Sequence, residues 1–265
     1  MGKEKLNAAF KSVLEHGEKA FVPYIMAGDG GLDVLKDRIE FFEENGATVL
    51  ELGIPFSDPV ADGPTIQAAG IRALRAGTTL SGVLNELEAC KQKRHIPIVL
   101  MSYVNPIYAY GIKNFSEKCV SAGVDGVIIP DLPMEEEELI TDELTKHNIA
   151  LIRLAALTSP KERVLEIAER TEGFLYAVTV TGITGARNSY RDGVGEYLKE
   201  LKSASITPVL AGFGVSTPEQ VIELSQYCDG VVVGSKIIEL LLLNDLISIK
   251  KLISATKNAS IETTS

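Results

Sequence analysis

Eight short apolar runs punctuate the chain: FVPYIMAG from position 21, TVLELG from 48, IPIVLMS from 96, VDGVIIPD from 124, ALIRLAAL from 150, FLYAVTV from 174, TPVLAG from 207 and CDGVVVG from 228. Each has the length of a buried strand, is rich in Val, Ile and Leu, and lacks a clean polar alternation. That pattern predicts parallel strands covered on both faces. Amphipathic stretches separate them, among them GLDVLKDRIEFFEENG, LSGVLNELEACKQK, NFSEKCVSAG, EEEELITDELTKHN, SPKERVLEIAERT, GEYLKELKSA, TPEQVIELSQ and SKIIELLLLNDLISIKKLI. Several open on Ser, Thr or Pro and stop at Gly, as helices do.

Eight strand–helix units in a chain of this size predict a (β/α)8 TIM barrel, one domain over 1–265 with an extra N-terminal helix capping its bottom. A doubly wound sheet is the competing architecture, but no G-x-G-x-x-G follows the first strand. The acidic run at 135–138 suits the start of a solvated helix.

The net charge of −10 argues against nucleic acid or an anionic membrane as the main partner. No apolar run reaches the roughly 18–20 residues of a membrane span. The N-terminal segment lacks the apolar centre of a signal peptide. Cys90, Cys119 and Cys228 are scattered and read as reduced thiols of a cytoplasmic protein, without a zinc site or disulfide framework.

Barrel active sites lie at the C-terminal ends of the strands. The three histidines miss that end: His16 is in the first helix, His95 precedes the third strand and His147 ends a helix. No strand carries a lysine for a Schiff base, and Arg153 is expected to point out toward the helices. Carboxylates remain. In VLELG, Val49, Glu51 and Gly53 share one face and the two leucines the other, so Glu51 points into the barrel if the leucines pack under helices. A buried carboxyl costs several kcal/mol unless paired or protonated, and it suits proton transfer near neutral pH. A structural salt bridge is the alternative. Asp62 and Asp58 sit in turn chemistry and are weaker signals alone. Asp131 ends the fourth strand, as a working residue or as a cap for the helix after LPM.

A second signal is phosphate. The loops after the seventh and eighth strands, AGFGVSTPEQ and VVVGSKIIEL, place Gly212, Gly214, Gly234 and Ser235 where backbone N–H groups and a helix N-terminus favour an anion. TGITGAR after the sixth strand could supply a third wall.

LELGIPFSDPVADGPTIQ resembles the signature of the tryptophan synthase α subunit family. VTGITGAR and GFGVSTPEQV are similar to its phosphate loops, and MSYVNPIYAYG to its third-strand segment. The likeness runs over nearly the whole chain; Leu157, where many members have proline, is a departure that touches no presumed catalytic residue. The resemblance implies retro-aldol cleavage of indole-3-glycerol phosphate to indole and glyceraldehyde 3-phosphate, with Glu51 as acid–base and Asp62 as partner of the indole N–H. It implies an indole pocket of Phe21, Leu100, Tyr103, Ile128, Leu154 and Tyr176. It implies phosphate contacts from Thr184, Gly185, Gly212, Phe213, Gly214, Gly234 and Ser235. It also implies no cofactor in this chain and an αββα complex with a pyridoxal phosphate β subunit that receives indole through a tunnel. Asp58 and Pro59 would lie near that partner, and the 56–64 and 182–195 segments would act as lids. Rival readings are another phosphate-binding barrel enzyme, a non-catalytic barrel that only activates a partner, and a stand-alone indole-releasing lyase.

Overall fold

In the computed structural model, which describes residues 2–178, 189–212 and 214–258, eight parallel strands close into a barrel in sequential order. They are β1 Ala20–Met26, β2 Leu50–Gly53, β3 Ile98–Met101, β4 Gly126–Ile128, β5 Ala150–Ala156, β6 Leu175–Val178, β7 Val209–Gly212 and β8 Gly230–Val233. The ring closes between β8 and β1, where Phe21 pairs with Val231. The doubly wound alternative is thereby excluded.

The helices that cover the strands are α2 Leu35–Glu44, α3 Pro64–Arg75, α4 Leu80–Cys90, α5 Val104–Tyr110, α6 Ile112–Ala122, α7 Glu138–Lys146, α8 Lys161–Arg170, α9 Ser189–Ala204, α10 Pro218–Ser225, α11 Ser235–Leu242 and α12 Leu246–Asn258; α1, Lys3–Glu15, precedes the barrel. Local chemistry sets many ends. Thr217 and Gln220 form a reciprocal capping box on α10, and Gly123, with φ 68°, stops α6.

Two apolar layers follow from strand parity. Leu50, Leu52 and Ile98 pack outward against Leu35, Phe42, Leu84 and Phe115 of the helices. Val22, Val49, Val99, Ile128, Ile152, Tyr176, Leu210 and Val232 fill the barrel, and Leu6 and Phe10 of α1 close its lower end. Phe10 stacks on Phe174 at 5.4 Å. The expected N-terminal cap is therefore a plug inserted into the interior cluster.

Four local expectations change. The last long amphipathic stretch is two helices, because Asn244 takes a left-handed φ of 54° and Asp245 caps the start of α12 through Ser248. The segment from Ser189 to Gly195, expected within a long loop, is already α9, while 182–188 lie outside the described residues. The acidic run is not simply solvated: Glu137 is buried and holds Arg153 at 2.8 Å and Arg170 at 3.2 Å. This pairing fixes Arg153 outside the barrel, as its parity predicted. Asp131 is a cap, though for a different helix: its Oδ1 accepts the backbone N–H of Val104, the first residue of α5, at 2.9 Å.

Candidate active site

Glu51 sits mid-strand on the inward face of β2. Its register partners are Tyr24 on β1 and Val99 on β3. The carboxyl is fully buried, and neither oxygen has a hydrogen-bond partner among the described residues. Burial, and then the charge of Asp62, push it up to about 8. At neutral pH it is a protonated acid held without a competing partner, the state that a group placed to deliver a proton requires.

Asp62 comes from the β2–α3 connection. That loop folds on itself through Asp62 N–H to Pro59 O at 3.1 Å and Val60 N–H to Asp58 O at 3.0 Å. Tyr103, the residue before α5, anchors it. Its phenolic oxygen accepts the Ala61 N–H at 3.0 Å, its ring stands 5.4 Å from that of Phe56, and its hydroxyl bonds the Asp62 carboxylate. Asp131 positions Tyr103 in turn, by capping α5. Burial raises Asp62 to about 6 against the lowering effect of the Tyr103 hydroxyl. The two carboxyls thus differ: near pH 7 one holds a proton and the other is mostly charged.

Both face one cavity with about 730 Å3 of free space, part of it open solvent, lined by Tyr24, Ile66, Met101, Tyr176 and Val232 and, from the segments after β7 and β8, by Gly214, Val215, Ser216, Gly234, Ser235, Lys236 and Glu239. The strands contribute apolar side chains around the carboxyls; the segments after β7 and β8 contribute glycines and the N-terminus of α11. The arrangement suits a flat apolar group beside the carboxyls and an anion at the glycines. A cavity of about 720 Å3 between β5 and α8 has similar size, but its charged residues are already paired, Arg153 with Glu137 and Arg163 with Glu135.

The expected residues distribute as follows. Glu51, Asp62, Tyr176, Gly214, Gly234 and Ser235 meet in the cavity. Ile128 lies in the interior cluster beneath it, with Leu154 packed against that cluster. Gly212 faces inward at the seat of the Tyr176 ring; a Cβ there would stand 2.2 Å from it. Asp58 is exposed and Pro59 half-buried on the loop surface. Thr184, Gly185 and Phe213 lie outside the described residues. Phe21 and Leu100 are corrected: both belong to the outer layer with Leu35 and Phe115, since the register with Glu51 turns Tyr24 and Val99 inward and their neighbours out. Tyr24 and Met101 take those places. The sequence held no signal for this: the parity of Glu51 selects them only once the ladder fixes the register of β1 and β3 beside it.

Gly214 has φ 85°, a left-handed conformation that only glycine adopts cheaply. Gly214→Val is expected to weaken binding of glycerol phosphate by roughly tenfold, through strain and lost backbone approach, while indole binding is retained. Calorimetric titration with the two ligands measures this; equal losses for both would point to collapse of the loop instead.

The family model for the tryptophan synthase alpha chain matches residues 10–262. The tryptophan synthase alpha chain of Oceanobacillus iheyensis is 58% identical over 240 residues, 91% of this chain and 92% of that one. The alpha chain of Bacillus cereus is 53% identical over 257 residues, 97% of this chain and 98% of that one. The crystal structure of tryptophan synthase subunit alpha from Legionella pneumophila superposes with a TM-score of 0.86 at 32% identity, over 97% of this chain and 98% of that chain. With a closed barrel, two unlike carboxyls at its mouth and these relatives, the chain belongs to the tryptophan synthase alpha chain family, the lyases of tryptophan biosynthesis that cleave indole-3-glycerol phosphate.

Proposed function

We propose that Glu51 and Asp62 divide the cleavage of indole-3-glycerol phosphate between them, and that the glycine-rich end of the cavity holds the phosphate. The observation that carries this reading is the buried, unpartnered Glu51 carboxyl in the same cavity as Asp62 and the start of α11. Glu51 gives its proton to C3 of the indole ring, which turns the ring into a cationic electron sink. Asp62 accepts a hydrogen bond from the indole N–H, and its charge stabilises that cation. Glu51, now a carboxylate, takes the proton of the hydroxyl on the carbon attached to C3. The carbon–carbon bond breaks, its electron pair returns to the ring, and the carbinol carbon leaves as the aldehyde of glyceraldehyde 3-phosphate. One proton is given and one regained, so Glu51 ends as it began. The steps use no cofactor of this chain.

The test is indole release from indole-3-glycerol phosphate by the purified chain across pH. Turnover per unit substrate, kcat/KM, is expected to be bell-shaped. It falls below about 6 as Asp62 gains a proton and above about 8 as Glu51 loses one. A profile flat from pH 5 to 9 would exclude these two groups as the acid–base pair.

The partner implied by the family is a β subunit. The proposed assembly is an αββα tetramer in the cytoplasm, with pyridoxal phosphate on the β subunit alone. The 56–64 loop supports the placing of that partner: Asp58 and Val60 are exposed, Val60 at 82%, one turn from Asp62. Docking there would hold the loop that carries Asp62, and such coupling is reciprocal in binding free energy. Addition of the β subunit is expected to tighten binding of a substrate analogue by roughly 5- to 150-fold and the analogue to tighten the complex by the same factor, with indole release raised as the loop is held. No change in either, with complex formation verified by sedimentation, would favour a stand-alone lyase.

A further inference from the structure

Among the described residues that line the cavity, Lys236 is the one cation. It stands in the first turn of α11, next to Ser235 and Gly234, which line the same cavity. Its ammonium is held by Glu239, one turn on, with Nζ to Oε2 at 3.3 Å. Both side chains are part-exposed, at 34% and 48%, so the pair is weak and the lysine can be drawn away. The cavity's other acid–base side chains besides its tyrosines are carboxyls: Asp62 and Glu239, and the protonated Glu51. A phosphate monoester brings up to two more negative charges into that wall, and backbone N–H groups supply only partial charge against them.

We infer that Lys236 is a switchable phosphate-binding residue: Glu239 parks its ammonium in the free protein, and the incoming phosphate takes it over. The inference rests on placing the phosphate at the glycine-rich end. It adds a side-chain cation to a site otherwise built from backbone, and it makes Glu239 a competitor for that cation. Lysine suits this exchange, since its ammonium is a compact charge on a flexible stem, whereas an arginine fork would bind the carboxylate in a fixed geometry.

The experiment is titration calorimetry of the whole chain with glycerol 3-phosphate and, separately, with indole and inorganic phosphate. Lys236→Met is expected to weaken glycerol 3-phosphate binding by roughly 5- to 20-fold and flatten its salt dependence, with indole binding unchanged. Glu239→Gln is expected to tighten it by roughly 2- to 5-fold when Lys236 is present and clearly less in the Lys236→Met background, where only the direct repulsion of the phosphate is relieved. Inorganic phosphate is expected to follow the same order, which separates recognition of the phosphate from recognition of the glycerol. Equal affinity of Lys236→Met and the parent would overturn the inference, as would an equal gain from Glu239→Gln in both backgrounds. If the parent itself binds glycerol 3-phosphate without competition from indole-3-glycerol phosphate, the placing of the phosphate fails instead, and Lys236 with it.

Discussion

Glu51→Gln is expected to lower indole release by roughly 10²–10⁴-fold while the barrel stays folded. Gln has nearly the same shape and the same neutral charge as the protonated acid, so substrate binding should change little. It cannot deliver a proton to C3 or take one from the hydroxyl. The loss therefore belongs in kcat. The same substitution has a second, opposite consequence for stability. The folded-state pKa of about 8 lies above the ordinary value of 4.5, so between these two pH values the folded protein keeps a proton that the unfolded chain has lost. Where the folded state binds more protons, stability falls as pH rises. The parent thus carries full stability from this group below about pH 4.5 and loses it progressively up to about 8. Gln does not titrate. The variant should gain on the parent by a few kcal/mol between pH 5 and 8.5, several degrees in melting temperature. Melting curves of both proteins over that range measure the gain. A parallel pair of curves, or near-normal turnover by the folded variant, would refute the assignment. An active-site acid that costs stability and supplies rate is a trade expected where a buried ionisable group serves chemistry.

How much of this was legible beforehand depended on what each residue could mark. The barrel was, because eight apolar runs of strand length and their helical spacers repeat one unit. Glu51 was, because a charge among apolar neighbours fixes the parity of its own strand. β1 and β3 contain no such mark. FVPYIM and IVLM are apolar on both faces, and either parity satisfies their packing, so Phe21 and Leu100 were as plausible inward as Tyr24 and Met101. Only the ladder, with Glu51 beside Tyr24 and Val99, removes the ambiguity. Contacts across the chain were equally hidden. That Asp131 caps α5 and that Glu137 binds Arg153 of β5 depends on segments brought together by the barrel, which local pattern does not encode. The break in the C-terminal helices was partly visible: Asn244-Asp245 is a turn and capping pair, but the run of leucines before it masks the stop.

Asp62→Asn separates charge from hydrogen bonding. The amide oxygen of Asn can still accept the indole N–H and the Tyr103 hydroxyl, so the ligand should be held in place. What is lost is the negative charge opposite the cationic ring, and that charge matters most when C3 is protonated. The expected result is a fall in kcat of roughly 10²–10³-fold, with the dissociation constant of an unreactive indole-alkyl phosphate changed only a few-fold. A variant that binds poorly but turns over normally once saturated would make Asp62 a positioning residue. The pair offers a further readout that a positioning role would not move. The charge of Asp62 is the second cause, after burial, of the raised pKa of Glu51. Removing it should lower that pKa, so the alkaline limb of the residual activity should move down from about 8 while the acid limb near 6, which belongs to Asp62 itself, disappears. An alkaline limb left in place would mean that the two carboxyls do not share a field, and a shared field is what their common cavity demands.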